Sequence, residues 1–335
     1  MKRPDLSVVI PLWNESSNLA ALHLRLRRTL DRLAESHELV LVNDGSTDET
    51  PERLDAFSEA DPTITVLHLS RNFGHQAALS AGLDFARGDA VIVLDGDLQD
   101  PPELIPRLLA RWREGFEVVH AVRRSRPERW PIRLAYNAFY RLYRVVSEQE
   151  VPLDCGDCCL MDRRVVRALR VMPERQRFVR GLRSFVGFRQ TSLAYDRDPR
   201  ASGRSKYTLA KLVRLAVDGL VGFSTLPLRL VTYVGFLAAI AAIVLSGWVF
   251  ADVLAHHTAP RGWASTLIVM LFLGATQLMG LGILGEYLGR VFLEVKGRPT
   301  YVLARKVRGG RRVSLRARRA IDRARKVAKQ RPRAA

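Results

Sequence analysis

The residues best suited to chemistry stand at the end of a short apolar run. Residues 90–94 are apolar and stop abruptly at Asp95-Gly96-Asp97, with Gln99 two positions further on. Two carboxylates that close repel each other, so a positive group is expected between them. A hard divalent cation, Mg²⁺ or Mn²⁺, suits oxygen ligands and can hold a substrate's phosphates at the same time. At i, i+2 spacing in a strand the two side chains share a face, and Gln99 continues the alternation with a carbonyl oxygen. Asp-Gly is also a common turn signal, and the local residues support a metal pair and a plain turn equally.

The elements that must position the pair follow from hydrophobic spacing. Strands are expected at 6–11, 38–42, 64–69, 90–94 and 118–122, and helices at 17–33, 49–60, 74–86 and 102–113. In the first helix Leu19, Leu22, Leu26 and Leu30 recur at helical spacing behind a Ser16 or Ser17 cap. Short, continuously apolar strands alternating with helices imply a parallel sheet covered on both faces. Ligands of such sheets bind at the carboxyl ends of the strands. Three strands end in polar clusters there: Asn14-Glu15, Asp44, and Asp95 with Asp97. No G-x-G-x-x-G follows the first strand and there is no P-loop, which argues against dinucleotide binding and ATP hydrolysis.

The formal charge is +19 over 335 residues, but residues 305–333 alone hold fourteen Lys/Arg against Asp322. Such a basic tail suits nucleic acid or an anionic membrane surface. Two uncharged stretches, 231–251 and 263–285, are long enough to span a bilayer and favour the membrane. Arg229 before the first and Arg290, Lys296 and Arg298 after the second put both termini in the cytoplasm. Residues 211–223 read as an amphipathic helix lying in the interface before the first span, whereas 132–146 suit a core or an interfacial helix equally. A free tail implies that removing residues 305–335 leaves activity intact. Residues 6–13 read as a strand rather than a signal sequence, being short and broken by Pro11. Cys155, Cys158 and Cys159 lack a second ligand pair at zinc spacing and read as reduced, buried side chains.

The segments VVIPLWNES, LVNDGSTDET, RNFGHQAAL, VLDGDLQDPPE, CGDCCLMDRR, RFVRGLRSFVGFRQ and SGRSKY occur in this order between residues 7 and 207. Together they resemble the family 2 glycosyltransferases of the polyprenyl-phosphate type. The resemblance implies a GT-A nucleotide-sugar-binding domain: an α/β, Rossmann-like fold with a mostly parallel sheet, followed by interfacial helices and two transmembrane helices. It implies that Asp44 contacts the nucleobase with Pro11 and Glu15 beside it and Arg71 lining the pocket. Asp95, Asp97 and Gln99 would hold Mg²⁺ or Mn²⁺, and Ser205 and Lys206 would close over the nucleotide. Asp157 would be the catalytic carboxylate. Arg123 and Arg133 fall where the family grips the acceptor lipid phosphate, and Arg200 joins them as a phosphate contact. The chain departs from the family pattern at five places, two of them being Arg126-Pro127-Glu128-Arg129 for R-x-G-E and Arg204 before S-K-Y. Asp-Ala-Asp becomes Asp95-Gly96-Asp97, one base-site acid becomes Asn43, and G-D-F-R-L becomes Gly156-Asp157-Cys158-Cys159-Leu160.

These readings divide the chain into a cytoplasmic catalytic domain at 1–208, an interfacial helix at 209–229, two spans at 230–292 and a basic cytoplasmic tail at 293–335. The expected activity is inverting transfer of a hexose, glucose from UDP first and mannose from GDP second, to polyprenyl phosphate at the inner membrane. The implied partners are the nucleotide-sugar donor, the lipid phosphate and the membrane, with no nucleic acid and with a homo-oligomer left open. A non-catalytic nucleotide-sugar-binding membrane protein is the reading from another class, motivated by Cys158-Cys159. A processive polysaccharide synthase is disfavoured, because its Q-x-x-R-W signature is absent.

Overall fold

A computed structural model describes residues 3–124, 155–175, 177–196, 226–256 and 262–312. It divides into two compact units, and the first holds the sheet. Among the described residues nine strands lie in the order β7-β5-β6-β4-β1-β2-β3-β8-β9. They are β1 Leu6–Leu12, β2 His37–Asn43, β3 Ile64–Leu69, β4 Ala90–Val93, β5 Val118–Arg123, β6 Cys155–Asp162, β7 Gln190–Tyr195, β8 Leu303–Arg308 and β9 Arg311–Arg312. The four central strands β4-β1-β2-β3 are mutually parallel, as the alternating pattern requires. Only β6 and β8 run against the rest.

Helices cover both faces, so the central strands are buried except at His37, where β2 begins. On one face lie α1 Leu19–Leu30, α2 Thr50–Ala60 and α4 Ile105–Arg113, with a 3₁₀ turn at Pro102–Leu104 leading into α4. The expected stripe Leu19, Leu22, Leu26 and Leu30 is the buried side of α1. On the other face lie α3 His75–Phe85, α5 Arg163–Val171 and α6 Val179–Phe185. Helix α3 approaches β1 so closely that a Cβ at Gly82 would stand 2.2 Å from Val9 Cγ1. Its small residues Ala77, Ala78 and Ala81 permit that contact and aim its N-terminus at the strand ends.

The C-terminal region corrects one expectation. Residues beyond 293 are not all tail, because β8 joins the edge of β3 with Val66 opposite Val307 and β9 pairs with β8. Tyr301, Leu303 and Val307 alternate into the core between basic residues, and this period of two was hidden by the density of Lys and Arg around it. Arg305 pairs with Asp55 at 2.6 Å, and Tyr301 Oη donates to Asp84 at 2.8 Å. Residues 313–335 lie outside the described residues, as do 132–146 and 211–223.

The second unit contributes two long helices, α7 Leu226–His256 and α8 Trp263–Val295. They contain the two uncharged stretches expected from the sequence. Among the described residues, no helix counts as long and apolar enough to cross a membrane. Residues 231–251 and 263–285 carry no charge.

Candidate active site

The strand register brings the two key carboxylates together. Val93 of β4 stands opposite Cys159 of the antiparallel β6. Two residues on from Val93 and two back from Cys159 therefore arrive at the same edge, and these are Asp95 and Asp157. Between them comes His75, the first residue of α3: its Nε2 is 3.1 Å from Asp157 Oδ2 and 3.7 Å from Asp95 Oδ1. One donor atom from each of His75, Asp95 and Asp157 lies within 4.8 Å of the other two.

The local geometry at Asp95 corrects the strand reading. β4 ends at Val93, and Asp95-Gly96-Asp97 forms a turn rather than an extended face. Leu98 takes φ 61°, and Asp97 Oδ1 accepts from the backbone N–H of Gln99 at 3.1 Å. Asp95, Asp97 and Gln99 thus stand in a tight loop rather than along one strand face, and the donor atoms that the structure brings together are those of His75, Asp95 and Asp157. The turn passes near β1, where a Cβ at Gly96 would stand 2.3 Å from the movable end of the Leu12 side chain.

The charges at this edge are unbalanced. Burial raises the Asp95 carboxyl to about 7; His75 opposes that shift, while Asp100, Asp157 and Asp97 reinforce it. Asp95 Oδ1 is sealed from solvent and accepts no hydrogen bond among the described residues. A buried, unsatisfied carboxylate oxygen amid other acids is what an oxygen-seeking cation would relieve, so the residues present fit a divalent metal.

Asp157 is the opposite case. Burial alone would raise its pKa, but the His75 hydrogen bond and the Arg180 charge hold it well below the usual carboxylate range. Arg180 of α6 reaches it with Nε and Nη2, and Gln76 Nε2 donates at 3.3 Å. Gln76 is itself fixed, its Oε1 accepting from the Val179 backbone at 3.0 Å. His75 is pulled in the reverse direction: burial lowers its pKa, and the Asp157 bond with the two nearby carboxylates raises it overall.

The remaining expected residues surround this edge unevenly. Asp44 is only 2% exposed, and its two oxygens accept from the Phe73 and Gly74 backbones at 2.8 and 3.0 Å. It pins the turn into α3, where Gly74 has φ 95° that side chains rarely adopt. Burial raises the Asp44 carboxyl despite those two bonds. Arg71 lies alongside, its guanidinium 4.2 Å from the Phe73 ring. Pro11 sits on β1 past Val9, where pairing with β4 ends, so its missing N–H costs no ladder bond. Glu15 accepts from Asn18 at 2.6 Å, and its backbone N–H donates to Thr50 at 3.1 Å, tying the loop after β1 to the start of α2. Asn43 donates to His68 at 3.0 Å. His68 in turn contacts Asp55, the partner of Arg305, so the altered base-site residue is wired to β8.

Arg123 closes the opposite side. Its Nη2 is 3.9 Å from Asp100 Oδ1, and its Nε donates to Tyr195 Oη at 3.4 Å. Tyr195 donates its hydroxyl to that same Asp100 oxygen. Arg133, Arg200, Ser205 and Lys206 lie outside the described residues. His75, Gln76, Asp100, Arg180 and Tyr195 had no role from sequence. His75 and Gln76 stand in the RNFGHQ segment, and Asp100 in DLQDPPE, so the signal was present in runs too long to resolve by residue.

Comparison with known proteins agrees with this geometry. The Glycosyl transferase family 2 model matches residues 7–170. An uncharacterized glycosyltransferase, sll0501, of Synechocystis sp. is 44% identical over 90% of this chain and 95% of its own length. The uncharacterized glycosyltransferase YkcC of Bacillus subtilis is 41% identical over 89% of this chain and 92% of its own. The bactoprenol glucosyl transferase of Shigella phage SfII is 39% identical over 91% of this chain and 99% of its own. With the acids at the carboxyl edge of a largely parallel sheet and relatives matching along nearly the whole chain, this protein is a glycosyltransferase and belongs to glycosyl transferase family 2.

Proposed function

We propose that this glycosyltransferase moves a hexose, glucose from UDP, onto polyprenyl (undecaprenyl) phosphate at the cytoplasmic face of the inner membrane. The observation that carries the reading is the convergence of Asp95 and Asp157 at one sheet edge, with an unsatisfied Asp95 oxygen between them. The acceptor and sugar follow the relatives named bactoprenol glucosyl transferase.

On the donor side, Pro11, Glu15, Asp44 and Arg71 take the nucleobase, and Ser205 and Lys206 close over the diphosphate. Asp95, Asp97 and Gln99 would hold Mg²⁺ or Mn²⁺, which supplies Lewis-acid stabilisation of charge developing on the leaving diphosphate. The acceptor's phosphate oxygen is already anionic near neutral pH, so it needs no strong base. Asp157, held deep in its ionised form by Arg180 and His75, is suited to fixing those two donors beside the reacting groups rather than to taking a proton. Arg123, Arg133 and Arg200 grip the lipid phosphate, where planar guanidinium forks match phosphate geometry. A single displacement at the anomeric carbon inverts its configuration.

The lipid acceptor explains the second unit. Phe236, Leu237, Ile243 and Trp248 on α7, and Phe272, Leu278 and Met279 on α8, point outward at more than half exposure. Apolar surface of that extent is unfavourable in water and suits hydrocarbon. At about 1.5 Å per residue, a 21-residue uncharged stretch gives about 31 Å of helix, the thickness of a bilayer core. In this reading both helices span the membrane, residues 209–229 lie at the interface, and both termini are cytoplasmic.

The experiment incubates the purified full chain with polyprenyl phosphate and UDP-glucose, GDP-mannose or other nucleotide sugars, and identifies the lipid product by mass. A polyprenyl-phosphate hexose from UDP-glucose is expected. Product from GDP-mannose alone would overturn the donor, and lipid left unmodified by every donor would overturn the acceptor.

A further inference from the structure

Among the described residues Arg183 of α6 is the largest fully buried side chain, at 1% exposure. Its Nη1 donates to the carbonyl of Asp157 at 3.4 Å and its Nη2 to the carbonyl of Gly156 at 3.3 Å. Its Nε has no hydrogen-bond partner among the described residues. Its own carbonyl accepts from Gln190 Nε2 at 3.2 Å, and Gln190 also holds His120 at 2.8 Å. His120 stands opposite Cys159 across the β5–β6 ladder. A guanidinium so far from water is costly, and this one spends its bonds on the backbone that carries Asp157.

The sequence of β6 explains why it is there. The family pattern G-D-F-R carries an arginine two residues after the aspartate, and here that position is Cys159. Cys159 is fully buried, packs in one cluster with Val179 and Leu182 of α6, and feels the Arg183 charge. Where the resembled pattern puts a cation on the strand this chain has Cys159, and α6 brings the Arg183 guanidinium to the carbonyls of Gly156 and Asp157.

We infer that Arg183 is a positioning residue for Asp157, standing in from α6 for the arginine missing from β6. The inference rests on the proposed transfer reaction for its effect on rate. Its geometric half, that a guanidinium from position 183 and one from position 159 occupy the same space, is independent of that reaction.

The test uses the full chain in detergent and three variants: Arg183→Met, Cys159→Arg, and both together. Each is measured for melting temperature and for transfer kinetics with UDP-glucose and polyprenyl phosphate. Arg183→Met is expected to lower kcat by about 10-fold or more with the donor KM nearly unchanged, because the carboxylate is misplaced rather than the nucleotide site lost. Its melting temperature shifts by only a few degrees, since removing a buried charge offsets the two carbonyls left without a donor. Cys159→Arg alone is expected to lower the melting temperature sharply by crowding two cations, and to be tolerated when combined with Arg183→Met. The double variant should recover most of the lost kcat, whereas Arg183→Lys, lacking the planar fork, should not. Equal melting penalties for Cys159→Arg in both backgrounds would overturn the shared site. A double variant no faster than Arg183→Met, or Arg183→Met at full kcat, would overturn the positioning role. A wild-type chain that transfers no sugar would refute the proposed reaction instead, and the melting cycle would still decide whether the two positions share one site.

Discussion

Arg180 holds Asp157 at two points, Nε to Oδ1 at 3.3 Å and Nη2 to Oδ2 at 3.2 Å. A carboxylate gripped in this way is an anchor for the guanidinium as much as the guanidinium is an anchor for it. If the pair acts as a unit, its two halves are not additive. Asp157→Asn and Arg180→Ala should each slow transfer by about 10- to 100-fold, and the double variant should be little slower than the worse single. Multiplying losses in the double variant would mean that the two residues act separately.

The unsatisfied oxygen of Asp95 carries the metal expectation. Chelation with EDTA should abolish transfer, and added Mg²⁺ or Mn²⁺ should restore it. Asp97→Ala should reduce kcat/KM by at least about a thousand-fold, on the scale of losing charge stabilisation at the leaving group. Mn²⁺ binding followed by electron paramagnetic resonance gives a second readout: titrated spectra should show bound ion in the wild type and free ion in the variant. Full activity in chelator would remove the metal from the site.

His120 sets a pH limit on the fold. Burial, aided by the Arg183 charge, lowers its imidazole to about 4 from an ordinary 6.5, against the opposing Gln190 hydrogen bond. The unfolded chain therefore binds a proton that the folded chain refuses. The stabilising contribution is complete above pH 6.5 and is lost as pH falls toward 4. At about 1.4 kcal/mol per pH unit, a gap of 2.5 units sets an upper scale of about 3 kcal/mol. The groups facing the ring are Arg183 from α6, Gln190 from β7 and Cys159 from β6. Urea midpoints measured from pH 7.5 to 4.5 should fall less steeply for His120→Gln than for the wild type. Parallel curves would assign the acid sensitivity elsewhere.

The central sheet was legible because its signal is local. The continuous apolar runs and the leucine stripe of α1 each need only their own neighbours, and β1 to β5 appear within a residue or two of the expected bounds. Asp95 was singled out by its place at the end of an apolar run and Asp157 by motif resemblance, and their meeting depends on a strand register no periodicity reveals. His75, Gln76 and Arg180 converge from a helix start and a distant helix, so only the folded chain brings them together. β8 was missed for a different reason. Its inward residues alternate with lysine and arginine, and average composition outweighed a period of two across six residues.

That strand makes the final prediction. β8 closes the open edge of β3, buries Tyr301, Leu303 and Val307, and places Arg305 against Asp55. Asp55 holds His68, which holds Asn43 beside the expected base pocket, so the edge and the nucleotide loop share one hydrogen-bonded path. Burial of each apolar side chain is worth roughly 1.5–3 kcal/mol. Truncation after residue 298 should therefore lower the melting temperature by about 10 °C or more and weaken UDP binding. Truncation after residue 312 keeps both strands and should leave melting and transfer near wild type. Arg305→Ala isolates the path from the strand: it should weaken nucleotide binding by a few-fold, about 1 kcal/mol, with the sheet edge still covered. Unchanged UDP affinity in Arg305→Ala, measured by calorimetry, would reduce β8 to an edge cover with no influence on the site.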